Sequence, residues 1–156
     1  MRKALFVFAL LLPACESEVR ELFEPPRRAD LRLEGGWTPE RRALVEHACH
    51  EWNRILSSDR RCTISPTGKR TIRLEQVTIA EVPDARLTDR DLTLSYEASD
   101  RTILTASMLA IGHYSGIEED TGHCTVLSRD EQTDKDCRLR LTARDYEACV
   151  RAGACE

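Results

Sequence analysis

The sequence predicts a single α+β domain that is stabilised by disulfide bonds. Apolar residues of the 156-residue chain show helical spacing in some segments and strand alternation in others, in the order helix, strands, helix, loop, helix. Hydrophobic residues make up 41% of the chain and charged residues 32%, which is typical of a globular domain. Only 5% of the residues are aromatic but seven are cysteines, so we expect covalent bonds to support a thin aliphatic core.

This composition excludes several classes of protein. The chain has too many charged residues for a multi-span membrane protein, no collagen repeat and too much hydrophobic content for a fully disordered chain. Its 23 basic and 27 acidic residues leave a net charge of -4, so no basic surface is indicated. The sequence also contains no phosphate-binding loop or dinucleotide fingerprint. We therefore expect no nucleic-acid partner.

The first predicted helix is followed by two predicted strands. The helix begins at Thr38-Pro39-Glu40, where Thr is a favourable N-cap, Pro suits the first turn and an acid complements the helix dipole. Apolar residues then recur at helical spacing as far as Leu56, and Ser57-Ser58-Asp59 ends the helix. Apolar alternation predicts strands at residues 71–82 and 92–96.

Caps and stop signals predict two more helices. A serine or aspartate cap, an apolar stripe and a terminal glycine define the second helix. A polar, irregular segment over residues 118–137 separates it from the third helix, which begins with a capping-box pattern. The boundary residues are Ser99 or Asp100 and Gly116 for the second helix, and Thr142, Asp145 and Gly153 for the third.

The N-terminus has the pattern of an export signal. Arg2 and Lys3 precede an apolar run over residues 4–12, which is too short for a bilayer span of about 20 residues but has the length of a secretory h-region. The run ends in Leu12-Pro13-Ala14-Cys15, which resembles the lipobox of bacterial lipoproteins. An ordinary signal peptide with a chance cysteine is the alternative.

The lipobox resemblance implies a domain organisation and an address. Residues 1–14 would be a lipoprotein signal peptide, and Cys15 would carry acyl chains such as palmitate after cleavage. Residues 15–33, rich in Glu and Arg and containing Pro25-Pro26, would form the lipidated anchor and tether, and residues 34–156 the globular domain. The chain would then be held at a bacterial membrane by its lipid, with the domain in the periplasm or on the cell surface.

Six cysteines remain beyond the lipobox, and export would permit their oxidation. The sequence alone leaves several connectivities open, but the clustering of the cysteines favours local loops. No C-x-x-C pair exists, which argues against a thiolate zinc site. The favoured pairs are Cys49–Cys62, Cys124–Cys137 and Cys149–Cys155.

The end of the second predicted helix is the main candidate site. Its sequence is Leu109-Ala110-Ile111-Gly112-His113-Tyr114-Ser115-Gly116-Ile117-Glu118-Glu119. This segment resembles the active-site helix of matrixin-like zinc proteases of the metzincin clan, whose pattern is H-E-x-x-H-x-x-G-x-x-H or D. In that family two His bind zinc, the Glu is the general base on the metal-bound water, and the Gly lets the chain turn towards a third ligand.

The resemblance extends over most of the predicted domain, roughly residues 34–156. It implies a twisted sheet packed by a long N-terminal helix and a former active-site helix, with a C-terminal helix following a turn below the metal. The matching segments are Gly36–Asn53 for the first helix, 71–82 and 92–96 for the sheet, Thr125–Ser128 for the turn, and Leu141–Asp145 with Cys149 and Cys155 for the last helix.

The departures from the family pattern decide the expected function. Leu109 stands at the first ligand position and Ala110 at the general-base position, whereas His113 and Gly116 match. Glu119 stands at the third ligand position. Asp120 and His123 lie near Glu119 in the sequence. The methionine position of the turn holds Leu127. We therefore expect a non-catalytic member with no cofactor, acting by binding a peptide or protein in the former substrate cleft or in a structural role.

Two alternative hypotheses remain open at this point. The chain is a zinc-dependent metallopeptidase if His113, Glu119 and His123 form a rearranged site. It is an unrelated, disulfide-bonded lipoprotein module if the family resemblance is accidental.

Two other patterns are better explained without chemistry. His47 and His50 lie three residues apart on the polar side of the first predicted helix, as a solvated surface pair does. The run from Gly112 to Gly116 superficially suggests the G-x-S-x-G elbow of serine hydrolases, but its Ser is one place late and no strand precedes it.

Overall fold

The computed structural model describes residues 28–76, 85–118, 125–127 and 139–155, which form an α+β fold as predicted. Within these ranges there are five strands and three helices. The strands are β1 (Asp30–Glu34), β2 (Thr63–Ile64), β3 (Arg70–Glu75), β4 (Ala85–Leu87) and β5 (Asp91–Ser95). The helices are α1 (Pro39–Asn53), α2 (Asp100–Tyr114) and α3 (Ala143–Arg151).

The strands form one mixed sheet in the order β2-β1-β3-β5-β4. The first four are parallel, and the edge strand β4 runs antiparallel to β5. Alternation along the strands makes one face apolar, because Leu31, Ile72, Leu74, Leu92 and Leu94 are all buried in the core. That core also contains the inner faces of α1 and α2.

The opposite face of the sheet is polar. Arg73 Nη2 lies 3.0 Å from Glu34 Oε2, and its Nη1 lies 3.2 Å from Glu75 Oε1. These side chains are partly exposed, so the ion pairs contribute little free energy and mainly keep this face solvated. Strands of a parallel sheet that is covered on both faces are almost uniformly apolar. The strands here alternate between apolar and polar residues because, among the described residues, only one face of the sheet lies against the core.

The three helices predicted from the sequence are present with their caps, although the first ends at Asn53, before the predicted stop at Ser57-Ser58-Asp59. The Thr38 side chain accepts a hydrogen bond from Arg41 N, and the Ser99 side chain accepts one from Thr102 N. Glycines with left-handed backbone follow α2 and α3, which is the conformation that ends a helix at least cost. These are Gly116, with φ of 80°, and Gly153, with φ of 60°.

The strands differ more from expectation than the helices do. The predicted strand at 71–82 is β3, which begins at Arg70 and ends at Glu75, and residues 77–84 lie outside the described part of the chain. The predicted strand at 92–96 is β5. The short strands β2 and β4 were not predicted, because two or three residues carry too little alternation to be recognised.

Strand β1 corrects the expected boundary between tether and domain. The tether was expected to span residues 15–33, yet Ala29 and Leu31 are fully buried and Asp30–Glu34 pairs with two neighbouring strands. The fold therefore starts before residue 34. The charged residues of β1 make it resemble the preceding Arg- and Glu-rich stretch, but they face outwards while its leucines face the core.

Two disulfide bonds connect described parts of the fold. Cys49–Cys62 joins α1 to the start of β2, and Cys149–Cys155 closes a loop at the C-terminus. These are two of the three pairs that the clustering favoured, whereas Cys124 and Cys137 lie outside the described residues. A loop of 13 residues, as closed by Cys49–Cys62, stabilises the fold by about 3 kcal/mol in the chain-entropy model.

Helix α2 is held against α1 by a close contact around Trp52. The indole Nε1 donates a hydrogen bond to the Met108 carbonyl at 2.8 Å, and both residues are fully buried. Gly112 lies one turn further along α2. A Cβ there would be 2.6 Å from Leu127 Cδ2 and 2.8 Å from Trp52 Cζ2, so this contact requires glycine.

The substitution Gly112→Ala tests this contact. We expect it to destabilise the fold by about 1–3 kcal/mol, because the added methyl group overlaps a rigid indole in a packed core. Urea unfolding measures the loss. Gly36→Ala is the matched control, since a Cβ there meets only Tyr96 at 3.5 Å or more and should change stability by less than about 1 kcal/mol. Equal stability of the two variants would contradict the packing described.

Candidate functional site

The outer side of α2 has no charged residue over most of its length. Residues 102–112 contain only apolar residues, Thr, Ser and Gly. Ala110 is fully buried in the core, whereas Leu109 is partly exposed and lies one helical turn before His113. At the positions where the resemblance calls for a zinc ligand and a general base, the helix therefore presents one hydrocarbon side chain and buries another.

His113 is the one imidazole of this helix, and it contacts the turn between β4 and β5. Its Nε2 lies 3.3 Å from Oδ1 of Asp89, within reach of a hydrogen bond. The His113 side chain is 27% exposed and that of Asp89 is 96% exposed, so the contact is at the surface. Arg70 Nη1 also donates a hydrogen bond to the backbone carbonyl of Asp89. Arg70 and His113 thus both contact Asp89, Arg70 at the backbone carbonyl and His113 at the carboxylate.

Tyr114 packs against Arg70, next to the contacts of Arg70 and His113 with Asp89. Its ring is buried, and the Arg70 guanidinium carbon lies 5.4 Å from the ring centroid, in the range of a cation–π contact. Burial raises the pKa of the Tyr114 phenol, and Asp91 and Asp89 raise it further while Arg70 opposes them. The phenol therefore stays protonated at physiological pH, and it has no hydrogen-bond partner among the described residues.

A turn at residues 125–127 lies beneath α2 and is held by Asp145. One oxygen of this fully buried carboxylate accepts hydrogen bonds from the Thr125 hydroxyl and, at 3.0 Å, from Val126 N. The other oxygen accepts from Thr142 N at 2.8 Å and from the Thr142 hydroxyl at 2.7 Å. The carboxylate thus joins the start of α3 to the turn and keeps Leu127 against Gly112.

Strand β4 leaves one edge of the sheet without a neighbour among the described strands. Thr88 N donates to Asp91 O at 2.8 Å at the end of the β4–β5 hairpin. Hydrogen-bonded and non-hydrogen-bonded residue pairs alternate along an antiparallel ladder. Because Thr88 and Asp91 are a hydrogen-bonded pair, Leu87 and Ala85 belong to non-hydrogen-bonded pairs, and their N–H and C=O groups point away from β5. This edge lies beside α2, against which β4 packs. Together β4 and the uncharged side of α2 form what we call the edge groove.

The structure brings some predicted site residues together and leaves others apart. Leu109 and His113 lie on one side of α2, and Leu127 lies beneath it, whereas Glu119 and His123 fall outside the described residues. His47 and His50 are exposed on α1, and His50 Nδ1 lies 3.9 Å from Glu51 Oε1. Among the residues that the structure describes, no three His, Cys, Asp or Glu side chains lie close enough to hold a metal ion.

Sequence reasoning missed the residues that surround His113. Arg70 begins a strand and Asp89 lies in a tight turn, so neither stands near His113 along the chain. The Asp89-Arg90 pair between two alternating segments was a turn signal, and it would have predicted the hairpin had the short strand before it been recognised.

Comparison with known proteins leaves this geometry as the main guide to function. No protein-family model and no curated protein matches the chain. Within the described ranges, no helix is both long and apolar enough to span a bilayer.

The role of Asp145 can be tested by Asp145→Asn. We expect a loss of about 2–4 kcal/mol in the free energy of unfolding, because an amide offers one acceptor oxygen to the four donors around this buried side chain and turns its N–H groups towards the rest. Urea denaturation gives the value. Glu147→Gln on the exposed side of the same helix is the control and should be nearly neutral. A similar small effect for both variants would exclude Asp145 as the link.

Proposed function

We propose that the chain is an exported, lipid-anchored protein whose matrixin-like domain binds an extended peptide and does not hydrolyse it. The observation that carries the proposal is that Leu109 and Ala110 stand at the ligand and general-base positions, on a helix segment that has no charged residue between positions 102 and 112. Peptide hydrolysis of the matrixin type needs a zinc-bound water and a carboxylate base beside it. Neither a hydrocarbon side chain nor a buried methyl group supplies them.

The arrangement of the elements supports the matrixin-like part of the proposal. The described residues have a long first helix, a mixed five-stranded sheet, a second helix that carries His113 and is followed by Gly116, and a C-terminal helix closed by a disulfide. The turn with Leu127 lies beneath the second helix, where the family has its methionine. Within the described residues this order of parts agrees with the resemblance, although the residues at the catalytic positions do not.

The edge groove supports a peptide as the ligand. A free strand edge binds an extended chain through backbone hydrogen bonds, and neighbouring surfaces select its side chains. The groups that point outwards from Leu87 and Ala85 provide the hydrogen bonds, and Leu109 provides an apolar surface. Because the groove has no charge along residues 102–112, it favours peptides with small or aliphatic side chains.

A rearranged zinc site is the second candidate function. Its ligands would be His113, Glu119 and His123, of which only His113 lies in the described part of the chain. In the structure the Nε2 of His113 is engaged with Asp89, so metal binding would have to displace that contact. An unrelated, disulfide-bonded lipoprotein module is the third candidate.

The edge groove can be tested by titrating the purified full-length chain with the peptide acetyl-Ala-Val-Ala-Leu-amide and measuring NMR chemical shifts. We expect saturable binding that shifts resonances of β4 and α2. Leu109→Glu should weaken binding about tenfold or more, because it places a charge in an apolar contact. Ala43→Glu adds the same charge on an exposed part of α1 and is the control.

Two results would contradict the proposal. Equal binding by the Leu109→Glu and Ala43→Glu variants would show that the peptide lies elsewhere. Hydrolysis of the peptide or of casein that is blocked by a chelator and lost in His113→Ala would show that the domain is a metallopeptidase.

The lipid anchor is tested by Cys15→Ser in the native host. We expect the variant to leave the membrane fraction and to lose labelling by radioactive palmitate, because the thioether-linked lipid requires the cysteine sulfur. Pro13→Ser retains the other lipobox positions and should leave both properties unchanged. Membrane attachment that persists in the Cys15→Ser variant would count against lipidation.

A further inference from the structure

We infer that Arg70 and His113 form a carboxylate-binding site at one end of the edge groove, and that the Asp89 carboxylate occupies the His113 side of this site in the free protein. The inference rests on the proposed function, because it names the ligand group that the groove recognises. It concerns the end of the groove where α2 and β4 both finish, next to the hairpin turn. Nothing in the resemblance to matrixin-like proteases assigns Arg70 or Asp89 a role.

A carboxylate, that of Asp89, already lies at this end of the groove. Asp89 Oδ1 is 3.3 Å from His113 Nε2, although the rest of the Asp89 side chain is in solvent at 96% exposure. A surface pair of this kind contributes little free energy, so a ligand carboxylate can replace it at small cost. The contact therefore shows which chemical group His113 accepts without holding that group tightly.

Arg70 is positioned to contribute to carboxylate binding beside His113. Its guanidinium is fixed at two points, since it donates to the Asp89 backbone carbonyl and lies against the Tyr114 ring. Neither contact neutralises its charge, because the carbonyl and the ring are both uncharged. A guanidinium held in place in this way is well suited to bind a carboxylate.

The electrostatic field at this end of α2 opposes the binding of an anion. The C-terminal end of a helix disfavours an anion, and Asp91 lies close enough to influence the phenol of Tyr114. An anion is therefore bound there only if cationic groups outweigh these effects. The fixed guanidinium of Arg70 supplies such a charge, and it remains in place beside His113 for a ligand once Asp89 turns outwards into solvent.

The carboxylate can be the C-terminus of a peptide or an acidic side chain, and three peptides distinguish these sources. They are acetyl-Ala-Val-Ala-Leu as the free acid, the same sequence as the amide, and acetyl-Ala-Val-Ala-Glu-amide. The full-length chain is titrated with each, and NMR follows the His113 ring. We expect the free acid or the Glu peptide to bind about tenfold more tightly than the Leu amide.

Variants test the roles of the individual residues. Asp89→Ala should tighten binding of the carboxylate peptide about threefold to tenfold and leave the Leu amide unchanged, because only the carboxylate competes with Asp89. Arg70→Met should remove the preference for a carboxylate while retaining binding of the amide. Glu97→Ala, an exposed acid at the other end of α2, is the control for a general change in charge.

The outcomes separate the inference from the proposed function. If all three peptides bind equally and Asp89→Ala changes nothing, the groove binds peptides but the carboxylate site is wrong. If Glu97→Ala tightens binding as much as Asp89→Ala does, the effect is one of net charge and the site is also wrong. If none of the peptides binds, the edge groove itself fails as the ligand site.

Discussion

The contact between Trp52 and Gly112 is the interaction on which the rest of the fold depends. The indole crosses from α1 to α2, donates to the Met108 carbonyl and fills the space that a side chain at position 112 would need. Leu127 approaches the same glycine from the turn below. Because aromatic residues are scarce in this chain, one buried indole contributes much of the large apolar surface at the centre of the core.

The consequence for function is that α2 has a fixed position against which the other groups are arranged. Trp52 holds the helix from one side, and Asp145 holds the turn beneath it through hydrogen bonds to Thr125, Val126 and Thr142. Such a rigid helix is a suitable support for a site. Under the proposed matrixin-like assignment, Leu109 stands at the position of a zinc ligand, and the surface that the helix offers there is apolar.

Much of this fold could be predicted from the sequence, and the parts that could not have a common cause. The helices were predictable because caps such as Thr38 and Ser99 and the glycine stops act locally. Strand β1 was assigned to the tether because its charged residues resemble those before it, and only its pairing with β2 and β3 shows that Leu31 is buried and Leu33 partly buried. Pairing is non-local, and a short strand leaves little signal of it in sequence.

The candidate site shows the same division. Leu109, Ala110 and His113 were singled out because the matrixin-like motif that this segment resembles has a fixed spacing along one helix. Asp89 and Arg70 were not, because they reach His113 from a hairpin and a strand that lie 24 and 43 positions away in numbering. Their meeting depends on the order of β3, β5 and β4 in the sheet, which no local pattern specifies.

The central claim of the proposal is that α2 corresponds to the zinc-binding helix of a matrixin-like protease but binds no zinc itself. The most direct test is the zinc content of the purified full-length chain, measured by mass spectrometry after dialysis against a trace of zinc. The account predicts far less than one zinc per chain, and no change in that content when His113 is replaced by Ala. One tightly bound zinc per chain that is lost in His113→Ala would contradict it.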